Sequence, residues 1–477
     1  MAKEKGWQRY HTIWLMLFLG WIFSYADRTL TGPVVTWMIS SNVGFLKAAA
    51  NPHALGGLLG SLFFAGYMLT QFPGGYFGDK FGYRTIIVIS IFWAGITTLI
   101  TGLTGGLIAF IALRVFTGLG EGVLYSNDRS LIAQVTPPEK LGLGLGIVMG
   151  GLSVGLTAAL VGTIYLINWA KPFLGLNAWK APFLALGSAT IVIGVLIYTF
   201  TKPQYKASSE PFGKAFTSLL KYSVVFLAAI MGVYFATNAM GLTDVVIAVI
   251  LTGLAFILIV FIYNNKGTEI RPVLKDRNLI LIYLSAIPIL WHLWFYGFWG
   301  GAVVKDFGGG TLTSALLVIS FNAIAGLMGF PLGGKLSDMV AHKRNGRRNV
   351  LIILTGLLTV FIFIFAAYVM SGRKDMVVES IILFVSGLIF FALQAVSHAL
   401  TAETAPTALR GSAFGMWNLI AEIGAVLSPV VSGALRDSTG SWGTPLILDG
   451  VLMAISCLLI MGVASTVTTS AAKSEVA

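Results

Sequence analysis

Hydrophobic runs of about 20 residues, interrupted by short polar segments, recur along almost the whole chain. A helix rises about 1.5 Å per residue, so each run can cross a hydrocarbon layer roughly 30 Å thick. The pattern predicts fourteen spans, at 12–36, 55–77, 85–104, 107–134, 142–168, 181–201, 219–239, 243–263, 279–301, 313–336, 349–371, 377–400, 411–435 and 444–465. Two polar stretches, 202–218 and 264–278, flank the seventh and eighth. The predicted architecture is all-α and integral to a membrane. It has a six-helix bundle over 1–201, a linker region holding two additional helices (219–239 and 243–263) over 202–278, and a second six-helix bundle with a short tail over 279–477.

Composition supports this reading: 10% of residues are charged and mean hydropathy is +0.86, against about 25% charged in soluble domains. The net charge of +12 could suggest nucleic acid, but the basic residues are scattered over loops. Most fall on one side together with both termini, among them Lys3, Arg9, Lys80, Lys140, Lys206, Arg271, Lys335 and Lys473. Loops rich in Lys and Arg stay in the cytoplasm and face anionic lipid, which predicts a multi-pass protein of the cell membrane with both termini cytoplasmic. Nucleic acid is not an expected partner; a lipid bilayer is, and the expected state is a monomer. The first span is long, holds Asp27 and Arg28 and lacks a small-residue cleavage site, so it is expected to be retained. The lone cysteine, Cys457, excludes an internal disulfide and a cysteine-based metal cluster. With no nucleotide loop and no His/Glu metal spacing inside the spans, neither an enzyme nor a cofactor is expected.

The two sets of six spans carry a repeated loop. The first copy reads GGYFGDKFGYR from Gly74 to Arg84, the second GGKLSDMVAHKRNGRR from Gly333 to Arg348. The glycines allow helices to approach closely, and an acid beside basic residues, with Asp79, Arg84, Asp338 and Arg347 as the charge-pair or gate candidates, can form a state-dependent latch at the cytoplasmic interface.

These paired loops, with Arg114-x-x-x-Gly118 in the fourth span, resemble the major facilitator superfamily over essentially the whole chain. The resemblance implies two bundles that rock about a central cavity to expose it alternately to each side. Tyr25-Ala26-Asp27-Arg28-Thr29, and Glu121-Gly122 followed by Ser126-Asn127-Asp128-Arg129, are similar to the anion:cation symporter family. That resemblance implies import of a small organic anion, such as a sugar acid, commonly with protons. The insert and Arg271-Pro-Val-Leu-Lys-Asp-Arg-Asn278 are similar instead to fourteen-span drug:proton antiporters. Export of amphipathic compounds is therefore the alternative, although the fifth span lacks the Gly-Pro motif of those antiporters.

Charges near a bilayer centre cost at least about 2.5–3.5 kcal/mol, so each needs a partner or a wet cavity. Adjacent residues diverge by about 100° on a helix, which turns Arg28 with Tyr25 toward the cavity and Asp27 toward the fourth span. Arg114, Glu121 and Asp128 recur every seven residues. Arg114 is expected to pair with Asp27, leaving Glu121 the acid with no obvious counterion and so a proton carrier, with Asp27 and Glu422 as further proton-coupling candidates. Asp128 and Arg129 read as an interfacial gate. Tyr25, Arg28, Tyr67, Gln394, His398, Asn418 and Tyr296 are the candidate substrate ligands; Tyr67 and Asn418 follow from the symporter resemblance, and His398 follows Gln394 by one helical turn. Leu152 stands where those symporters often place a polar group.

Overall fold

The computed structural model describes residues 6–137, 140–202, 211–308, 310–406 and 409–464; Lys3, Lys206 and Lys473 lie outside them. Every regular element described is helical. The first half comprises α1 (Arg9–Ser41), α2 (Pro52–Phe81), α3 (Tyr83–Leu103), α4 (Leu107–Glu121), α5 (Leu124–Val135), α6 (Leu141–Leu174) and α7 (Ala181–Phe200). Two helices follow, α8 (Phe212–Ala239) and α9 (Asp244–Lys275). The second half comprises α10 (Arg277–Gly308), α11 (Leu312–Ile324), α12 (Gly326–Met339), α13 (Gly346–Met370), α14 (Met376–Thr404), α15 (Arg410–Thr439) and α16 (Gly443–Met461).

Among the described residues, twelve segments are long and apolar enough to cross a membrane. One of them, Leu143–Phe200, contains both α6 and α7, joined by a 3-10 turn over Gly175–Lys180. The charged helix α1 is not among the twelve.

Three differences from the sequence pattern have local causes. The stretch 264–275, read as polar linker, continues α9 as helix; hydropathy marks where the membrane ends, not where backbone hydrogen bonding ends. The span at 107–134 divides into α4 and α5 directly after Glu121, and the span at 313–336 divides at Ala325. The first break coincides with a close approach to α2. A Cβ on Gly118 would strike the Phe63 carbonyl oxygen, and one on Gly122 the Tyr67 carbonyl oxygen. Two glycines one turn apart thus let α4 lie backbone against backbone on α2, and their poor helix propensity eases the break.

The two halves meet most extensively where α2 packs on α15, and also through α1 with α10 and α6 with α11. The bundle end that carries the chain's N-terminus is called proximal here, the other distal. At the distal end Gly57 abuts the Pro429 carbonyl and Gly433 the His53 carbonyl, so the halves touch through their backbones. Asp437, near the end of α15, reaches the start of α2. Its Oδ2 accepts the backbone N–H groups of His53 and Ala54 at 3.0 and 2.8 Å, while Oδ1 lies 2.6 Å from His53 Nδ1. A carboxylate at a helix N-terminus satisfies otherwise unpaired donors and favours the helix dipole; here it comes from the opposite half. Helix α8 packs on α2 and α4, and α9 on both α2 and α15. Their remaining faces expose Tyr222, Val225, Phe256 and Ile257, an apolar surface suited to lipid.

Candidate functional site

Helical spacing brings a small set of side chains to one central cavity between the halves. From the first half come Tyr25 and Arg28 of α1, Tyr67 of α2, Tyr125 of α5, and Met149 and Leu152 of α6. From the second come Leu290, Leu293 and Trp294 of α10, Gln394 and His398 of α14, and Trp417, Asn418 and Glu422 of α15. Spacings of three or four residues, as in Tyr25/Arg28, Gln394/His398 and Asn418/Glu422, place each pair on one helix face. The walls lie close together, leaving room for little more than a water between them.

The first-half wall is cationic. Arg28 Nε lies 2.9 Å from Glu121 Oε2, and the Ser24 hydroxyl donates to the same oxygen at 2.7 Å. Arg28 also donates to Ser24 Oγ at 3.0 Å. Three aromatic rings surround the guanidinium, those of Tyr67, Tyr25 and Trp21, with centroids at 4.1, 4.8 and 5.5 Å; such faces attract a cation. Both charged residues are buried. Glu121 therefore has a counterion, contrary to the reading of the sequence. The seven-residue ladder across α4 and α5 concealed it, because the partner is on another helix and one residue beyond Asp27.

Asp27 and Arg114 form a second, sealed pair. Arg114 Nη1 donates to Asp27 Oδ1 at 2.9 Å and Nη2 to the Asp27 carbonyl at 3.1 Å, while Thr98 Oγ1 donates to Asp27 Oδ2 at 2.7 Å. Arg114 is fully buried, its guanidinium 4.6 Å from the Phe63 ring. Nearer the proximal end, Asp128 Oδ2 accepts from the Trp21 indole at 2.6 Å and from Arg129 Nη1 at 3.0 Å. Arg129 also contacts Met149 Sδ and lies over the Tyr125 ring at 4.9 Å.

The second-half wall is neutral or acidic and rich in unpaired groups. Gln394 Oε1, His398 Nε2, Trp417 Nε1, Asn418 Nδ2 and Glu422 Oε2 are all buried with no hydrogen-bond partner in the structure. Leaving such groups unpaired costs roughly 1–3 kcal/mol each, and here five converge on one cavity. Trp294 completes the wall, its ring parallel to Tyr25 at 6.1 Å. Trp417, Ser24 and Tyr125 were not singled out from sequence. Ser24 precedes Arg28 by one turn, which could have flagged it, whereas nothing in the local pattern around Trp417 distinguishes a cavity tryptophan from a packing one.

Tyr296 does not join this site. It stands two residues beyond Trp294, on the opposite side of α10, and packs against His292 at 4.6 Å and Phe365 at 6.2 Å inside the second half. There His292 Nδ1 lies 2.8 Å from Asp449 Oδ2, both buried. The sequence signal for this pair was available: Asp449 is an isolated acid in the last apolar run.

In this conformation the acid and the arginine of each repeated loop are not bonded to each other. Asp79 accepts from the Tyr83 hydroxyl at 2.7 Å, and Arg84 turns to the C-terminal end of α7, at the Tyr198 carbonyl and Thr201. Arg347 pairs with Glu403 of α14 at 2.8 Å and donates to Ser337 at 3.0 Å, not to Asp338. In both copies the arginine ties the loop to a neighbouring helix, α7 or α14, and in the second copy Arg347 also bonds back to Ser337 within the loop.

Comparison with known proteins converges on one family. The Major Facilitator Superfamily model matches residues 17–395 and 294–475, and the chain belongs to that superfamily. A probable galactarate/D-glucarate transporter of Bacillus subtilis is 25% identical over 459 residues, covering 94% of this chain and 90% of the relative. The protein of the same description in Escherichia coli is 24% identical, covering 97% and 95%. A probable sulfoacetate transporter of Cupriavidus necator is 25% identical, covering 94% and 92%. Among solved structures, a POT family transporter in complex with 5-aminolevulinic acid superposes with TM-score 0.72 at 15% identity, covering 95% of each chain. A D-xylose–proton symporter gives 0.67 at 15% identity, covering 95% of this chain and 97% of its own. The chain is thus a multi-pass membrane transporter and not an enzyme.

Proposed function

We propose that this protein imports a small organic anion of the sugar-acid class together with protons, by alternating access. The observation that carries the reading is the Arg28–Glu121 pair at 2.9 Å beside a cavity lined with unpaired polar groups. Arg28 supplies the charge that holds a carboxylate, as a planar guanidinium does well. Tyr25, Tyr67, Gln394, His398 and Asn418 supply hydrogen bonds to hydroxyls, with Trp294 and Trp417 as apolar platforms. The relatives' described cargoes include the sugar acids galactarate and D-glucarate and another small organic anion, sulfoacetate.

Coupling follows from electrostatics. While Glu121 is ionised it occupies Arg28; a proton on Glu121 neutralises it and frees the guanidinium for a substrate anion. Proton and anion therefore bind with positive coupling, and by reciprocity each raises the affinity of the other. Asp27, fixed by Arg114 and Thr98 next to Arg28 in the chain, is the second acid of this cluster, and Glu422 is the acid of the opposite wall. The sealed Asp27–Arg114 pair also anchors α1 to α4, and the Asp128–Arg129 pair lies nearer the proximal end.

In this proposal the chain crosses the cell membrane fourteen times. The twelve apolar segments count α6 and α7 together and omit α1, while α8 and α9 are the two helices between the bundles 1–201 and 279–477. The proximal end faces the cytoplasm with both termini, the distal closure faces outside, and the protein works as a monomer. Reconstituted into liposomes, it should accumulate labelled galactarate when the bath is more acidic than the lumen. Uptake that ignores the pH gradient, or no uptake of any sugar acid, overturns the reading.

A further inference from the structure

Arg28 lines the cavity, and a second cation, Arg129, stands just behind its wall. The guanidinium carbons of Arg28 and Arg129 each lie 5.5 Å from the Trp21 ring centroid, so no more than twice that distance separates them. Each has its own acid, Glu121 of α4 for Arg28 and the adjacent Asp128 of α5 for Arg129. Trp21 links the two pairs, because its indole donates to Asp128 while its ring lies near both guanidiniums. Arg114, sealed with Asp27 and fully buried, is closed to any ligand. Arg129 differs: about one-fifth of its side chain is exposed, and its neighbours Tyr125 and Met149 are cavity-lining residues.

We infer that Arg129 reads a second acid group on the transported anion, so that the cargo is a dianion held at one end by Arg28 and at the other by Arg129. This rests on the anion reading of the cavity and specifies it further. A gate needs no second guanidinium so close to the first, and two like charges gathered near one ring repel unless something negative lies between them. In the structure Glu121 and Asp128, each bonded to one of the two guanidiniums, offset that repulsion. A dianion replaces both at once, each acid group taking over one guanidinium as the corresponding carboxyl is protonated. His398 and Gln394 present unpaired atoms to the cavity from the second half and supply hydrogen bonds to the middle of such a molecule. A monoanion satisfies Arg28 and leaves Arg129 with Asp128, so it gains less from the site.

The test is a matched pair of ligands: galactarate, with an acid group at each end of six carbons, and galactonate, the same skeleton with one. Dissociation constants are measured by calorimetry on the purified full chain at mildly acidic pH. The native protein should bind galactarate about tenfold more tightly, in line with one extra charge-assisted hydrogen-bonded contact. Arg129→Gln should reduce that ratio to about one, and Arg129→Lys should restore part of it. Arg28→Gln should abolish binding of both acids. A native ratio near one overturns the inference, and so does an Arg129→Gln variant that weakens both acids equally, the signature of a gate or of a folding defect. A native protein that binds neither acid overturns the anion reading itself, whereas retention of both acids with equal affinity removes only the role given to Arg129.

Discussion

Arg28 and Glu121 share a hydrogen bond of 2.9 Å between α1 and α4, and Ser24, one turn before Arg28, donates to the same carboxylate oxygen. The other oxygen, Oε1, is buried and unpaired. Glu121 is thus held on one side by the group a substrate must engage and has a free oxygen to receive a proton.

Replacing Glu121 by Gln mimics the protonated state permanently. Arg28 is released, so binding of a monoanion such as galactonate should become nearly independent of pH. In the native protein, affinity should rise as pH falls, because protonation removes the internal competitor. In liposomes the variant should still exchange external for internal anion but should lose accumulation driven by a pH gradient. Gradient-driven accumulation at native levels would refute the assignment.

The Asp27–Arg114 pair predicts a stability effect distinct from transport. Arg114→Met leaves a buried carboxylate uncompensated, a loss on the order of 3–5 kcal/mol. Combining it with Asp27→Asn removes the stranded charge and should recover much of that loss. Thermal unfolding of the single and double variants in detergent measures both steps; a double variant as unstable as the single would show that the charge is not the cause.

At the distal end, Asp437 holds the halves together through His53 and the first turn of α2. Asp437→Asn keeps the shape but weakens a charge-assisted contact to two backbone N–H groups and an imidazole. Spin labels at Ala50 and Ser438, both exposed, should report a longer and broader distance distribution in the variant. An unchanged distribution would assign the closure to backbone packing alone.

Close packing of α4 on α2 predicts a contrast between glycines. Gly118→Ala forces a methyl group into the Phe63 carbonyl and should cost about 1–3 kcal/mol. Gly162→Ala in α6, where a Cβ meets nothing within 4 Å, should be neutral or stabilising by about 0.5–1 kcal/mol. Melting temperatures of the two variants side by side test this, and equal shifts would contradict it.

The sequence by itself determined the class of the molecule and the identity of its chemistry. Apolar runs of membrane-crossing length dictate helices, since lipid offers no partner to an open backbone. Ionisable residues inside those runs, Asp27, Arg28, Arg114, Glu121 and Glu422, are too costly to be there without a use. The divergence of Asp27 from Arg28 also followed from helix geometry alone. What the tertiary structure decided was partnership across helices. That Glu121 answers to Arg28, that Arg347 turns to Glu403, that Tyr296 faces the interior of one half and Trp417 the cavity, and that Asp437 caps α2, all depend on how helices distant in the chain are rotated against each other. Periodicity fixes which residues share a face of one helix, but the relative rotation of two helices is set by their packing, such as the fit of Gly118 and Gly122 on α2, and no local pattern contains it.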